Sequence, residues 1–146
     1  MKKVLVTVTL LLVATAVAMA QQGVSLKADI PFDFYASDRL MPAGIYFVVP
    51  ASDSDRVTYV LRPADPVPGV FVGTYQVSMK LDERPDARLV FNKYSEDRIF
   101  LNRIVLPNAS ANALEVHKTK KEREMVISTL RAGLAPTKVV ILAMAR

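Results

Sequence analysis

Asp29 and Asp33 stand four positions apart in a stretch that alternates apolar and polar residues. A strand there would put both carboxylates on one outward face, where a pair could hold a cation or divide acid–base work. Carboxylates tuned for chemistry need burial or partners. The neighbours here are Pro31 and a turn, so the pair reads as two solvated charges. Asp53 and Asp55 share a polar loop, but calcium loops carry more carboxylates and a closing Glu, and none follows. His117 is the one histidine of the chain and stands among Lys and Glu. A metal would need ligands from elsewhere, and nothing nearby motivates a pH sensor. No G-x-S-x-G elbow, S-x-x-K or H-E-x-x-H occurs, and five scattered glycines cannot form a phosphate cradle. With no Cys, thiolate zinc sites, iron–sulfur clusters, cysteine nucleophiles, disulfides and an acylated-Cys anchor are all excluded. The sequence therefore nominates no catalytic, cofactor-binding or metal-ligating residue.

What positions these side chains begins after an N-terminal address. Lys2 and Lys3 precede an uncharged apolar run from Val4 to Val17, and Ala18-Met19-Ala20 forms a small-x-small cleavage site before Gln21-Gln22. This is the three-part pattern of a secretory signal peptide, residues 1–20. The competing reading is an uncleaved anchor, because residues 4–20 approach membrane-spanning length. Of the 146 residues, Lys and Arg make up 19 and Asp and Glu 14, a net charge of +5. Cleavage would remove two lysines and leave residues 21–146 as a single mildly basic β domain, long enough to bury its own core. No dense basic stripe interleaves with aromatics, so nucleic acid is not an expected partner. Asn108-Ala109-Ser110 matches a glycosylation acceptor, a triplet common by chance.

The rest of the chain has mostly a period of two. Leu26, Ala28 and Ile30 alternate with Lys27 and Asp29, and Phe32 and Phe34 continue the apolar face with Asp33 opposite. Pro31 suggests an edge strand or a break between two short strands. Further strands are expected over Ile45–Val49, Val57–Leu61, Val70–Met79 and Lys138–Ala145. In the Val70–Met79 run, Phe71, Tyr75, Val77 and Met79 share one face. Gly73 reads as a bulge or a close approach. Arg88–Tyr94 and Arg98–Leu106 flank Ser95-Glu96-Asp97 as a hairpin, apolar on both faces and so expected near the middle of a sheet. Thr119-Lys120-Lys121-Glu122 has capping-box spacing: the Thr hydroxyl caps the Glu N–H while the Glu side chain reaches back. Gly133 and Pro136 would end the helix near Arg131. A strand through Met125-Val126-Ile127 competes with it. The fold class is mainly β: a small antiparallel β-barrel or sandwich of six to eight short strands, with one short α-helix in the C-terminal half. An outer-membrane barrel is disfavoured, because most runs are shorter than the roughly 9–11 residues such strands need.

Three stretches in this order carry a resemblance: Ile30-Pro31-Phe32-Asp33-Phe34 leading to Met41-Pro42-Ala43-Gly44-Ile45-Tyr46; Arg88-Leu89-Val90-Phe91-Asn92-Lys93-Tyr94 leading to Ile99-Phe100-Leu101; and Lys118-Thr119-Lys120-Lys121-Glu122-Arg123-Glu124. Together, behind a signal peptide, they resemble a family of small exported proteins found chiefly in acidobacteria. The resemblance implies an exported β domain and no catalytic residue. It singles out Pro31, Phe32, Asp33, Phe34, Pro42, Gly44, Tyr46, Leu89, Phe91, Tyr94 and Phe100 as structural positions. The chain departs from the family pattern at Ala36-Ser37-Asp38-Arg39, where relatives tend to have a Gly-rich turn, and at Asn92, where a His is common.

These features point to a non-catalytic binding or structural β domain of the cell envelope, periplasmic or extracellular. Its expected partners are an envelope polymer, a protein or an apolar ligand. One alternative is a small β-barrel carrier of an apolar molecule, its cavity lined by Phe32, Phe34, Tyr46, Phe47, Tyr59, Phe71, Tyr75, Phe91, Tyr94 and Phe100. Another is an enzyme with a loop-borne site. The apolar C-terminal strand could also pair with another chain.

Overall fold

A computed structural model describes residues 24–52, 54, 56–79, 86–107 and 112–146. The proposed signal peptide, Asp53, Asp55 and the Asn108-Ala109-Ser110 triplet lie outside the described residues. Ten strands form: β1 Leu26–Ile30, β2 Phe34–Ala36, β3 Arg39–Met41, β4 Gly44–Pro50, β5 Thr58–Pro63, β6 Val70–Ser78, β7 Arg88–Ser95, β8 Arg98–Val105, β9 Asn112–Val116 and β10 Thr137–Ala145. A single helix among the described residues, α1 (Lys120–Arg131), stands between β9 and β10.

Eight of these strands close into an antiparallel barrel in the order β1-β4-β5-β6-β9-β8-β7-β10, with β10 pairing back on β1. The closing contact is β8–β9, through Arg103↔Glu115 and Ile104↔Leu114. That pairing uses only part of the β8 edge. The hairpin β2–β3 takes the rest, through a parallel bridge between Tyr35 and Phe100. The architecture is thus the barrel of the two sheet forms expected. A closed barrel also leaves no unpaired edge along its walls. β10, the strand that might have sought another chain, is bonded on both sides, to β7 and to β1.

Alternation decides what faces inward. Leu26, Ala28 and Ile30 of β1, Tyr46 and Val48 of β4, Leu61 of β5, Val72 of β6 and Leu89 and Phe91 of β7 are all buried, while Lys27, Asp29 and Arg62 point outward. Apolar inside and largely polar outside is the reverse of a membrane-spanning barrel. In β6 the aromatic face lies outward: Phe71 and Tyr75 are exposed, and Val72 and Thr74 face the core. Burial there follows from pairing with β5 and β9, which fixes the register regardless of which face is the more aromatic.

The β7–β8 hairpin is apolar on both faces, but not because it sits mid-sheet; a closed barrel has no middle. Its outer face is covered by other elements. Tyr35 stacks on Phe100 with ring centroids 4.9 Å apart, and Tyr94 meets Phe100 edge-on at 5.7 Å. The connection from β9 to β10 skips past β8 and β7 in the ring, and α1 lies across that outer wall. Pro31 marks a break: β1 ends at Ile30 and β2 begins at Phe34. Gly73 marks a close approach, since a Cβ there would lie 3.2 Å from the His117 ring.

The helix obeys its termini. Thr119 is the N-cap, its hydroxyl accepting from the Glu122 N–H at 3.3 Å. Gly133, at φ +69°, sits in the left-handed region that favours glycine, and the Leu134 N–H closes onto the Thr129 carbonyl. A helix, not a strand, therefore runs through Met125–Ile127. One half of the expected capping box is missing. The Glu122 carboxylate turns away from the Thr119 N–H and into the barrel wall.

Candidate functional site

The residues of the three resembling stretches converge around β7. Phe34 meets Tyr46 and Phe91 edge-on at 5.2 and 5.3 Å, and Phe32 meets Phe91 at 5.3 Å. Leu89 lies in the same core. The turn between β3 and β4 is pinned at both ends: Asp33 accepts the Ala43 N–H at 2.8 Å, and the Tyr46 hydroxyl donates to the Pro42 carbonyl at 2.7 Å. Burial raises the Tyr46 pKa, and the nearby Asp33 and Asp65 carboxylates raise it further. Gly44, at φ +154°, begins β4, while Pro31 and Pro42 are exposed. Of the aromatics that were candidates for lining a ligand cavity, Phe32, Phe34, Tyr46 and Phe91 pack on one another, and Phe71 and Tyr75 face outward. Phe34 and Phe91 have no surface open to a water-sized sphere, inside the barrel or out.

The polar groups that do converge lie on the outer wall, beneath α1. Asn92 on β7 and Asn102 on β8 are buried although polar. The Lys138 ammonium on β10 donates to Asn92 Oδ1 at 2.6 Å and to Asn102 Oδ1 at 2.9 Å. Asn92 Nδ2 donates to Glu122 Oε1 at 3.1 Å, and the Tyr94 hydroxyl donates to the same oxygen at 3.2 Å. Glu122 is 3% exposed, a buried carboxylate held by neutral donors. A short step along the wall, Glu115 accepts from the Tyr75 hydroxyl at 2.9 Å and from Lys118 Nζ at 3.4 Å, and pairs with Arg103 Nη2 at 3.6 Å.

Electrostatics follow from these contacts. Burial lowers the Lys138 pKa, with Arg103 as the next cause; Glu115 and Glu122 offset part of it. Burial, then the Glu122 charge and hydrogen bond, pushes the Tyr94 hydroxyl far above the ordinary tyrosine range. Burial works to raise the Glu115 pKa, but the Tyr75 hydrogen bond, Lys118 and Arg103 outweigh it, so the carboxyl ends below its ordinary value. Between this wall and the helix lies a cleft of about 240 Å³, lined by Asn92, Tyr94, Asn102, Arg103, Glu115, Lys118 and Lys138, and across from them by Val126, Leu130 and Pro136.

Beyond the cleft, the outward face of β10 changes character. After Lys138 come Val140, Leu142 and Met144, which are 51%, 73% and 66% exposed. Val140 lies opposite Val90, Leu142 opposite Arg88, and Met144 opposite Lys27. Lys27 in turn lies opposite Phe47, whose ring carries the Arg146 guanidinium at 5.7 Å. Six of the twelve large apolar side chains exposed among the described residues fall between Ile127 and Met144.

The other candidates do not come together. Asp29 is exposed beside Ile45, and Asp33 is turned to the Ala43 N–H, so the two form no pair. His117 is exposed, with its ring 5.1 Å from that of Tyr75. No group of three or more His, Cys, Asp or Glu able to hold a metal occurs among the described residues. Sequence reasoning found Glu122 as a cap but missed its role in the wall, and it missed Asn92, Asn102 and Lys138 as a cluster. Their one signal was polarity at positions inside otherwise apolar runs. No protein-family model, curated protein or solved structure matches the chain.

Proposed function

We propose that this protein is an exported, non-catalytic β-barrel of the cell envelope that acts by docking its outer wall on an anionic lipid surface. The exposed face of β10 carries this reading. Val140, Leu142 and Met144 alternate outward along one strand, and a convex wall meets a flat surface along just such a line. Exposed apolar patches of this kind on a folded domain are interaction sites.

The rim supplies the sign of the partner. Lys27, Arg88 and Arg146 border the stripe, against Asp29 and Asp86. A second copy would set these cations against each other. An envelope polymer of sugars would leave the apolar side chains without an apolar phase to enter. A bilayer with anionic headgroups satisfies both components. Lys2, Lys3, the apolar run and Ala18-Met19-Ala20 support export, as does the resemblance to small exported proteins. A packed barrel interior favours work at the outer wall over carriage inside.

Sedimentation of the full chain with vesicles tests this. Phosphatidylglycerol vesicles should carry the protein down and phosphatidylcholine vesicles should not, and Leu142→Glu should abolish the effect. Failure to sediment with phosphatidylglycerol would overturn the proposal.

A further inference from the structure

The cleft between α1 and the barrel wall is separate from the β10 stripe. We propose that it is a binding site for a small organic monocarboxylate, the charged head on Lys138 and the apolar tail against α1. Charge comes first. Three cations, Lys138, Arg103 and Lys118, line the cleft against the carboxylate of Glu115, with that of Glu122 buried behind Asn92 and Tyr94. Glu115 is already shared among Lys118, Arg103 and Tyr75. Lys138 has no carboxylate within ion-pair distance among the described residues; its contacts are the neutral oxygens of Asn92 and Asn102. An ammonium has three donors, so one N–H remains for a ligand.

The neighbouring groups fix what that ligand is. Both asparagine oxygens are turned toward the ammonium, which directs each amide nitrogen elsewhere. Asn92 Nδ2 goes to Glu122, and Asn102 Nδ2 has no partner among the described residues. One ammonium N–H and one amide N–H suit the two oxygens of a single carboxylate. Arg103 and Lys118, both engaged by Glu115, add positive potential without the free fork that a phosphate dianion prefers. Val126, Leu130 and Pro136 opposite provide an apolar wall. A volume of about 240 Å³ falls below the range of drug-sized pockets and admits a short chain. Burial that disfavours the Lys138 charge would be relieved by an anion beside it.

The test is a titration of the full chain, followed by backbone amide NMR, with sodium butyrate, butyramide and inorganic phosphate. Butyrate should give saturable shifts at Asn92, Asn102, Leu130 and Lys138, and butyramide and phosphate should not. Lys138→Met should weaken butyrate at least tenfold. Leu130→Glu, at an exposed position that leaves the barrel core untouched, should do the same by placing a negative charge at the mouth; it serves if the lysine variant does not fold. No saturation by butyrate, equal saturation by butyramide or phosphate, or unchanged butyrate affinity in Leu130→Glu would overturn the proposal.

Discussion

The ring of Phe34 meets the ring of Phe91 edge to face, centroids 5.3 Å apart and planes at 74°. This contact ties the β2–β3 hairpin to the barrel. Both rings are fully buried, with Phe32 and Tyr46 completing the cluster. Phe91→Ala should lower the unfolding free energy by about 3–5 kcal/mol, the usual cost of emptying a core aromatic site. Urea denaturation measures it, and Phe91→Leu should cost clearly less.

Glu122 has two separable roles, and the variants differ accordingly. Thr119→Ala removes only the cap and should cost about 1 kcal/mol. Glu122→Ala should cost more, because it leaves the Asn92 amide and the Tyr94 hydroxyl buried without their acceptor, a penalty of about 1–3 kcal/mol for each group so stranded. Glu122→Gln keeps an acceptor oxygen and should fall between wild type and alanine. Thermal unfolding gives the ranking, and equal losses for Thr119→Ala and Glu122→Ala would contradict it.

Glu115 should leave a signature in acid. Its folded pKa lies below the ordinary glutamate value of 4.5, so the folded state favours the charged form. The resulting stability is present above the ordinary value and is lost as pH falls through the depressed one. Wild type should exceed Glu115→Gln in stability at neutral pH, and the gap should close on acidification below about pH 4.5. A gap independent of pH would show that packing alone separates the two.

Lys138 should behave in the opposite sense in alkali. Its folded pKa is below the ordinary lysine value of 10.5, so the unfolded chain binds the proton more tightly. The charged lysine therefore costs stability in full below the folded pKa, and that cost is relieved as pH rises toward the ordinary value. Relative to Lys138→Met, wild type should gain stability as pH climbs toward 10.5. Chemical denaturation of both proteins across that window measures the difference.

Much of the barrel was legible because its signals are local. Leu26-Lys27-Ala28-Asp29-Ile30 reads as a strand by alternation alone, and Thr119, Gly133 and Pro136 bracket the helix before any partner is known. β9 was not legible. Asn112-Ala113-Leu114-Glu115-Val116 carries one β-branched residue and runs into a charged segment, and its strand state comes from β6 and β8 on either side. The β2–β3 hairpin was hidden by its length, three residues a side around Ser37-Asp38. Ser37 itself has φ +53°, a left-handed position in the turn where a Gly-rich sequence was the expected pattern. The cleft was least legible of all. Asn92, Asn102 and Lys138 share no spacing motif, and only the pairing of β10 with β7, far along the chain, places Lys138 against both asparagines.

The pairing of β1 with β10 sets a condition on the order of events. Leu26 lies opposite Ala145, and the Arg146 N–H donates to the Ser25 carbonyl at 2.9 Å. The first strand of the ring therefore cannot gain its second neighbour until residues 137–145 have been synthesised, and the closing loop spans nearly the whole barrel sequence. Contacts this distant along a chain slow folding, because the entropy of closing the loop precedes the reward. The ring stays open until β10 has been made. The same adjacency makes residues 25 and 146 natural points to splice: a circular permutant joined there and opened at the Ser95–Arg98 turn should fold to the same barrel by a different route.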